Sequence, residues 1–169
     1  FAPAWSISAN YTLTDREPQS GADKGDPLPN PPKHLANASL NWATTDKLDL
    51  WLKTEYRGKR ARFTSKYENL RGKNNIPTTN SSIYDTLGKD MKGYTLFHLG
   101  GSYQATEALS FNATIYNLLD KDFVKGKAYK TYNSSGVENG TAYGTNYTHS
   151  LAGSTGTIEE GRRLWISAT

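Results

Sequence analysis

Residues 5–13 read Trp-Ser-Ile-Ser-Ala-Asn-Tyr-Thr-Leu, with Trp5, Ile7, Ala9, Tyr11 and Leu13 at odd positions and Ser6, Ser8, Asn10 and Thr12 between them. A period of two puts one set on each face of a β-strand. The pattern returns at 34–43, where Ala36, Ala38, Leu40 and Trp42 oppose Asn37, Ser39 and Asn41. At 47–58, Leu48, Leu50, Leu52 and Tyr56 oppose Asp49, Lys53, Glu55 and Arg57. At 94–104, Thr95, Phe97, Leu99, Gly101 and Tyr103 oppose His98, Ser102 and Gln104. The stretch 108–118 sets Leu109, Phe111, Ala113 and Ile115 against Ser110, Asn112 and Thr114, and 161–169 sets Leu164, Ile166 and Ala168 against Arg163, Trp165 and Ser167. With the first strand at 4–14, this makes six strands and no helical stripe between them.

Two connections are tight, at 44–47 and 105–108. Three are long, at 15–33, 58–93 and 118–160, and they hold Pro18, Pro27, Pro29, Pro31, Pro32 and Pro77. Short and long alternate, so every long loop leaves from one end of the sheet. Loops of this length suggest function or disorder. The chain of 169 residues carries a formal charge of +4, is 36% hydrophobic and 12% aromatic, and has no cysteine. Its longest apolar run is three residues, Leu50-Trp51-Leu52, far short of the 20 or so that a membrane helix needs. Without cysteine there is no disulfide framework and no thiolate chemistry.

A soluble sandwich and a transmembrane barrel both alternate. Strands of about 10 residues, at roughly 3.4 Å each and tilted about 40°, rise about 26 Å, which matches the apolar band of an outer-membrane barrel. Aromatic residues near the strand ends (Trp5, Tyr11, Trp42, Tyr56, Tyr103) suit interfacial girdles. A sandwich has no reason to gather its long loops at one end. The expected fold is therefore all-β, an antiparallel up-and-down transmembrane β-barrel. Six strands cannot close one, since about eight are the minimum, and an open edge in lipid costs several kcal/mol per unpaired group. The chain is thus expected to be a segment of a larger barrel.

Tyr116-Asn117-Leu118-Leu119-Asp120-Lys121-Asp122-Phe123 resembles the Asn-Leu-x-Asp-Lys-x-aromatic box on the penultimate strand of TonB-dependent outer-membrane receptors. The run 159–169, Glu-Glu-Gly-Arg-Arg-Leu-Trp-Ile-Ser-Ala-Thr, is similar to their last strand, with two or three terminal residues including a Phe missing. Pro32-Lys33-His34 and the run 55–63 (Glu-Tyr-Arg-Gly-Lys-Arg-Ala-Arg-Phe) resemble the catecholate-siderophore branch. The resemblance implies the six C-terminal strands, over 1–169, of a 22-stranded barrel, with the plug and TonB box upstream and outside this sequence. It further implies an outer-membrane monomer that is a transporter and not an enzyme. Its partners would be a ferric siderophore as transported ligand, the TonB complex, and outer-membrane lipid and lipopolysaccharide. It would also be a candidate receptor for colicins or phages. No resident cofactor or metal is expected.

Within that frame, Arg57, Lys59, Arg60, Arg62, Lys66, Arg71 and Lys73 face Glu68 alone, a net +6 over 57–73, with Phe63 and Tyr67 interleaved. The last loop repeats the theme with Lys121, Lys125, Lys127 and Lys130 beside Phe123, Tyr129 and Tyr132. Arginine forks suit anionic oxygens and aromatic faces offer stacking, so an anionic, aromatic iron tris-catecholate fits. The ligand-binding candidates are Arg57, Arg60, Arg62, Lys66, Tyr67, Arg71, Lys127, Tyr129 and Tyr132. The competing account is contact with lipopolysaccharide phosphates, or plain solvation. Nucleic acid is not expected, because no helix, RNP-like box or zinc spacing accompanies the basic residues. Asp49, Lys53, Glu55 and Arg57 share a face and are expected to pair across the lumen or with the plug. Asn37-Ala38-Ser39 and Asn112-Ala113-Thr114 match glycosylation acceptors but fall on polar strand faces. His98 on the lumen face hints at haem, so receptors for haem or cobalamin, and a passive porin, remain alternatives.

Overall fold

The computed structural model describes residues 4–15, 32–147 and 160–169. Its elements in chain order are β1 (Ala4–Leu13), β2 (His34–Ala43), β3 (Leu48–Arg57), the short β4 (Arg60–Ala61), helix α1 (Thr79–Leu87), the short β5 (Asp90–Met91), β6 (Tyr94–Thr106), β7 (Leu109–Tyr116), β8 (Gly126–Tyr132), β9 (Glu138–Thr145) and β10 (Arg163–Ala168). The expected loop at 15–33 and the stretch 148–159 lie largely or wholly outside the described residues.

Six strands form one antiparallel sheet in the order β1-β2-β3-β6-β7-β10. Its register aligns Ile7, Leu40, Leu52, Leu99, Ile115 and Leu164 side by side in one apolar row. Rows above and below it on this face are mainly apolar as well: Trp5–Trp42–Leu50–Gly101–Ala113–Ile166 on one side, and Ala9–Ala38–Thr54–Phe97, with one threonine, on the other. This face is bare. Ile7 and Ile166 are 76% and 64% exposed, and the elements outside the sheet pack on one another rather than across it. A soluble sandwich buries this face, whereas a barrel presents it to lipid. Trp5 and Trp42 stack at 4.6 Å and 6° at one end of the band, and Tyr11 meets His34 Nδ1 at 2.6 Å near the other.

The opposite face is polar and cross-linked. Ser8 Oγ lies 3.1 Å from Ser39 Oγ, and Asn37 Nδ2 donates to Asn10 Oδ1 at 3.2 Å. The Asn-x-Ser/Thr triplets at 37–39 and 112–114 have their Asn on this face. Trp51 lies flat over Gly100, where a Cβ would meet the indole at 2.2 Å, with Lys53 Nζ 4.6 Å above the ring.

The long connections depart from the expectation of a chain without helices. The loop between β3 and β6 contains α1, and the loop between β7 and β10 contains the β8–β9 hairpin. The helix is locally specified. Thr78 Oγ1 accepts from Ser81 N at 3.1 Å and Ser81 Oγ accepts from Thr78 N at 3.0 Å, a reciprocal cap. Gly88, at φ 83°, ends it. The hairpin turns through Asn133–Gly136, with Gly136 at φ 76° and Asn133 Oδ1 accepting from Ser135 N and Val137 N. The buried apolar residues gather in these loops and at the outer end of β6: Phe63, Leu70, Ile83, Leu87 and Tyr129 form one cluster, and Tyr94 and Leu96 of β6 with Phe123 a second. The second tight turn is shorter than expected, because β6 continues to Thr106 and a bulge precedes Leu109.

Candidate ligand-binding site

The chain order puts the outer ends of β3, β6, β7 and β10 beneath the two folded loops. Two of the nine sequence candidates, Tyr67 and Arg71, meet on the β3–β6 loop. Tyr67 follows Lys66 at the start of a 3₁₀ turn, and its hydroxyl donates to Asp85 Oδ1 at 3.0 Å. Arg71 spans the Tyr67 ring at 5.7 Å and donates to its hydroxyl from Nε and Nη2 at 3.3 and 3.2 Å. The Tyr67 hydroxyl, Asp85 and Tyr132 hold the Arg71 guanidinium above its ordinary pKa, with the hydrogen bond from Tyr67 the largest cause. Tyr132, the last residue of β8, is tied to the start of α1 by its backbone bonds to Thr79 Oγ1. Tyr84 packs on Tyr67 at 4.4 Å and on Phe63 at 5.9 Å, so the Arg71 guanidinium lies on an aromatic bed.

The other candidates are dispersed. Lys66 and Lys127 are exposed. Tyr129 is buried in the loop core. Arg60 donates to the Tyr147 carbonyl at 3.3 Å. Arg62 is only 3% exposed and donates to the carbonyls of Gly88 and Thr145 at 3.2 and 3.1 Å. Burial lowers its pKa to about 10 and Asp90 counteracts the fall, so it stays cationic at neutral pH. Arg57 ends β3 on the polar face, opposite Tyr94.

Below the loops, the polar face forms a hollow of about 740 Å³ that the sequence reading did not single out. It is lined by Trp51, Lys53, Arg57, His98, Tyr116 and Arg163, among others. Tyr116 stands between His98, 5.6 Å away, and the Arg163 guanidinium, 4.4 Å over its ring. His98 Nδ1 accepts the backbone N–H of Asn117 at 3.1 Å, which leaves the neutral ring's proton on Nε2. Strand parity was the available signal for this hollow. Its residues come from strands far apart in sequence, so only the register assembles them.

The Asn-Leu-x-Asp-Lys box is a clasp. Asn117 and Asp120 have φ of 51° and 52°, which asparagine and aspartate tolerate better than most residues. Asn117, 3% exposed, donates from Nδ2 to the carbonyls of Lys121 and Glu160 at 3.0 and 3.3 Å and accepts from Lys121 N at 2.8 Å. Asp120 Oδ1 accepts from Arg162 N at 3.1 Å. The box thus ties the end of β7 to the start of β10. Its Phe123 packs edge-on against Tyr94 and Tyr147.

A family model described as TonB-dependent receptor-like β-barrel matches residues 2–118. The iron-regulated outer membrane virulence protein of Vibrio cholerae is 30% identical over 95% of this chain and 18% of its own length. The vitamin B12 transporter of Vibrio vulnificus is 38% identical over 37% of this chain and 9% of its own length. Among solved structures, the ferric enterobactin receptor of Pseudomonas aeruginosa in complex with enterobactin superposes with a TM-score of 0.58 at 21% identity, over 97% of this chain and 20% of that one. The chain therefore spans about a fifth of the length of these larger relatives. The family and these neighbours are receptors and transporters rather than enzymes. With its bare apolar face, polar inner face and matched barrel model, the chain belongs to the TonB-dependent receptor β-barrel family of outer-membrane proteins.

Proposed function

We propose that this chain is the C-terminal six-stranded part of a 22-stranded receptor barrel that binds a ferric siderophore, of catecholate type, and imports it with energy delivered through TonB. The observation that carries the reading is the Arg71 guanidinium laid over Tyr67 in an outer loop, above an inner wall that bears Lys53, Arg57 and Arg163 beside Glu55 and Glu160. Cations on aromatic faces suit a bulky, anionic, aromatic iron chelate. Positive charge at a mouth also raises the local concentration and on-rate of anions. The Pseudomonas relative's complex with enterobactin supports the same class of ligand.

Cobalamin is the second reading, favoured by the 38% match to a vitamin B12 transporter over 63 residues. Haem is disfavoured: ligation through His98 Nε2 needs a lone pair where the Asn117 bond puts the proton. The test uses the full-length receptor. Iron(III) tris-catecholate should quench its tryptophan fluorescence saturably, and uptake by cells should stop when a protonophore collapses the proton gradient. Quenching by cobalamin with none by the iron complex would select the second reading, and uptake that survives the protonophore would select a passive porin.

A further inference from the structure

We propose that Arg62 is a positioning residue, whose buried guanidinium joins the β3–β6 loop to the β8–β9 hairpin and so fixes the spacing of the ligand-contacting groups that the two carry. What those groups bind rests on the function proposed above; how they are held does not.

A cation removed from water is costly unless its donors are satisfied. Arg62 is 3% exposed, which also removes it from direct ligand contact. Two of its side-chain bonds run to backbone carbonyls on opposite sides of the seam: Gly88 at the end of α1, and Thr145 at the end of β9, 83 residues away in sequence. Its own backbone N–H donates to the Lys89 carbonyl at 2.8 Å. Arg62 is therefore held from its own loop while it reaches into the other.

The rest of the seam is built the same way. Thr79 Oγ1 accepts from Tyr132 N at 2.9 Å and donates to Tyr132 O at 3.4 Å. Ser82 Oγ accepts from Lys130 N at 3.0 Å. Hydroxyls on the helix thus take the place of a neighbouring strand along the open edge of β8. Beyond them, Lys92 N donates to Asn146 O at 2.7 Å and Arg60 to Tyr147 O. Tyr129 from the hairpin completes a cluster whose other buried members, Phe63, Leu70, Ile83 and Leu87, belong to the first loop. Neither loop can slide past the other without losing both the core and these bonds. The consequence is one body. Tyr67 and Arg71 on one loop and Tyr132 on the other keep a fixed separation only while the seam is closed.

The experiment uses the full-length receptor in detergent, with spin labels on cysteines introduced at Glu68 and Ser134, both exposed and one on each loop. Double electron–electron resonance should give one narrow distance. Arg62→Met should broaden it and weaken iron(III) tris-catecholate binding about tenfold, while Arg62→Lys, which keeps the charge but loses the fork, should fall between. Thr79→Val opens the seam without touching Arg62 and should broaden the distance too. Heat-modifiable gel mobility should stay unchanged in all variants, which shows that the barrel is intact. A distance that stays narrow in Arg62→Met overturns the proposal. So does a broadened distance with unchanged affinity, since Arg62 would then join the loops without setting the site. If the unmodified receptor does not bind the iron complex, the functional reading fails while the distance measurement still decides whether Arg62 unites the loops.

Discussion

Leu52→Arg tests the facing of the whole sheet. Leu52 sits at mid-strand in β3, in register with Leu40 and Leu99, at the centre of the row that runs from Ile7 to Leu164. An arginine on the lipid face at the bilayer midplane costs about 2–4 kcal/mol, against about 0–1 near the interface. At about 1.4 kcal/mol per factor of ten, insertion should weaken roughly 30- to 700-fold. Leu48, at the inner end of the same strand and paired with Tyr103, should cost about 1 kcal/mol or less when changed to Arg. Ser39→Arg is the control on the other face. It sacrifices the contacts with Ser8 at 3.1 Å and Asn41 at 3.3 Å, about 1 kcal/mol in all, and sends a long cation into the lumen. The assay is urea-dependent folding of the full-length receptor into lipid vesicles, followed by tryptophan fluorescence. Equal penalties for Leu52→Arg and Ser39→Arg, or a cost below about 1 kcal/mol for Leu52→Arg, would refute the assignment of faces.

Gly100→Ala places a methyl into the Trp51 indole and should cost about 1–3 kcal/mol of overpacking, read as a lower unfolding midpoint together with a shifted tryptophan emission. Asn117→Ala removes the donors to Lys121 and Glu160 and strains the backbone at φ 51°. It should destabilise the clasp by about 2–3 kcal/mol and speed proteolysis between β7 and β10, whereas Asn117→Gly should recover only the backbone part. Arg71→Ser frees the Tyr67 hydroxyl without opening the seam, and should weaken iron(III) tris-catecholate binding in a quenching titration while leaving the melting temperature nearly unchanged.

The strands were legible because facing is a local property. The rows of one face are mainly apolar and those of the other mainly polar, so the parity of Trp5 through Leu13 already states which side of the wall each residue occupies. The loops were not legible for the opposite reason. Ile83 and Leu87 give α1 a narrow apolar side whose cover, Tyr129, lies more than 40 residues on, and no window of sequence contains both. The Thr78–Ser81 pair and Gly88 were cap signals of a kind that can be read locally. Charge was misleading in a similar way. Arg62 and Arg71 have the same chemistry and lie nine residues apart, yet one is sealed in a seam and the other lies on a tyrosine. The 116–123 box was legible as a motif, but its work as a clasp depends on Glu160 and Arg162 arriving from the far end of the last loop.

The shared core of the two loops also sets an order of assembly. The strand pairs of the sheet join residues at most 57 apart, as in Phe111 and Ala168, whereas the bond from Arg62 to Thr145 spans 83, and more distant closures are entropically slower. The cap therefore forms last, after β7 has paired with β6. Until then the cluster of Phe63, Leu70, Ile83 and Leu87 lacks Tyr129, its cover from the hairpin, and the nascent outer surface is a stretch of chain open to proteases. A receptor caught at that stage would possess a complete wall and no site.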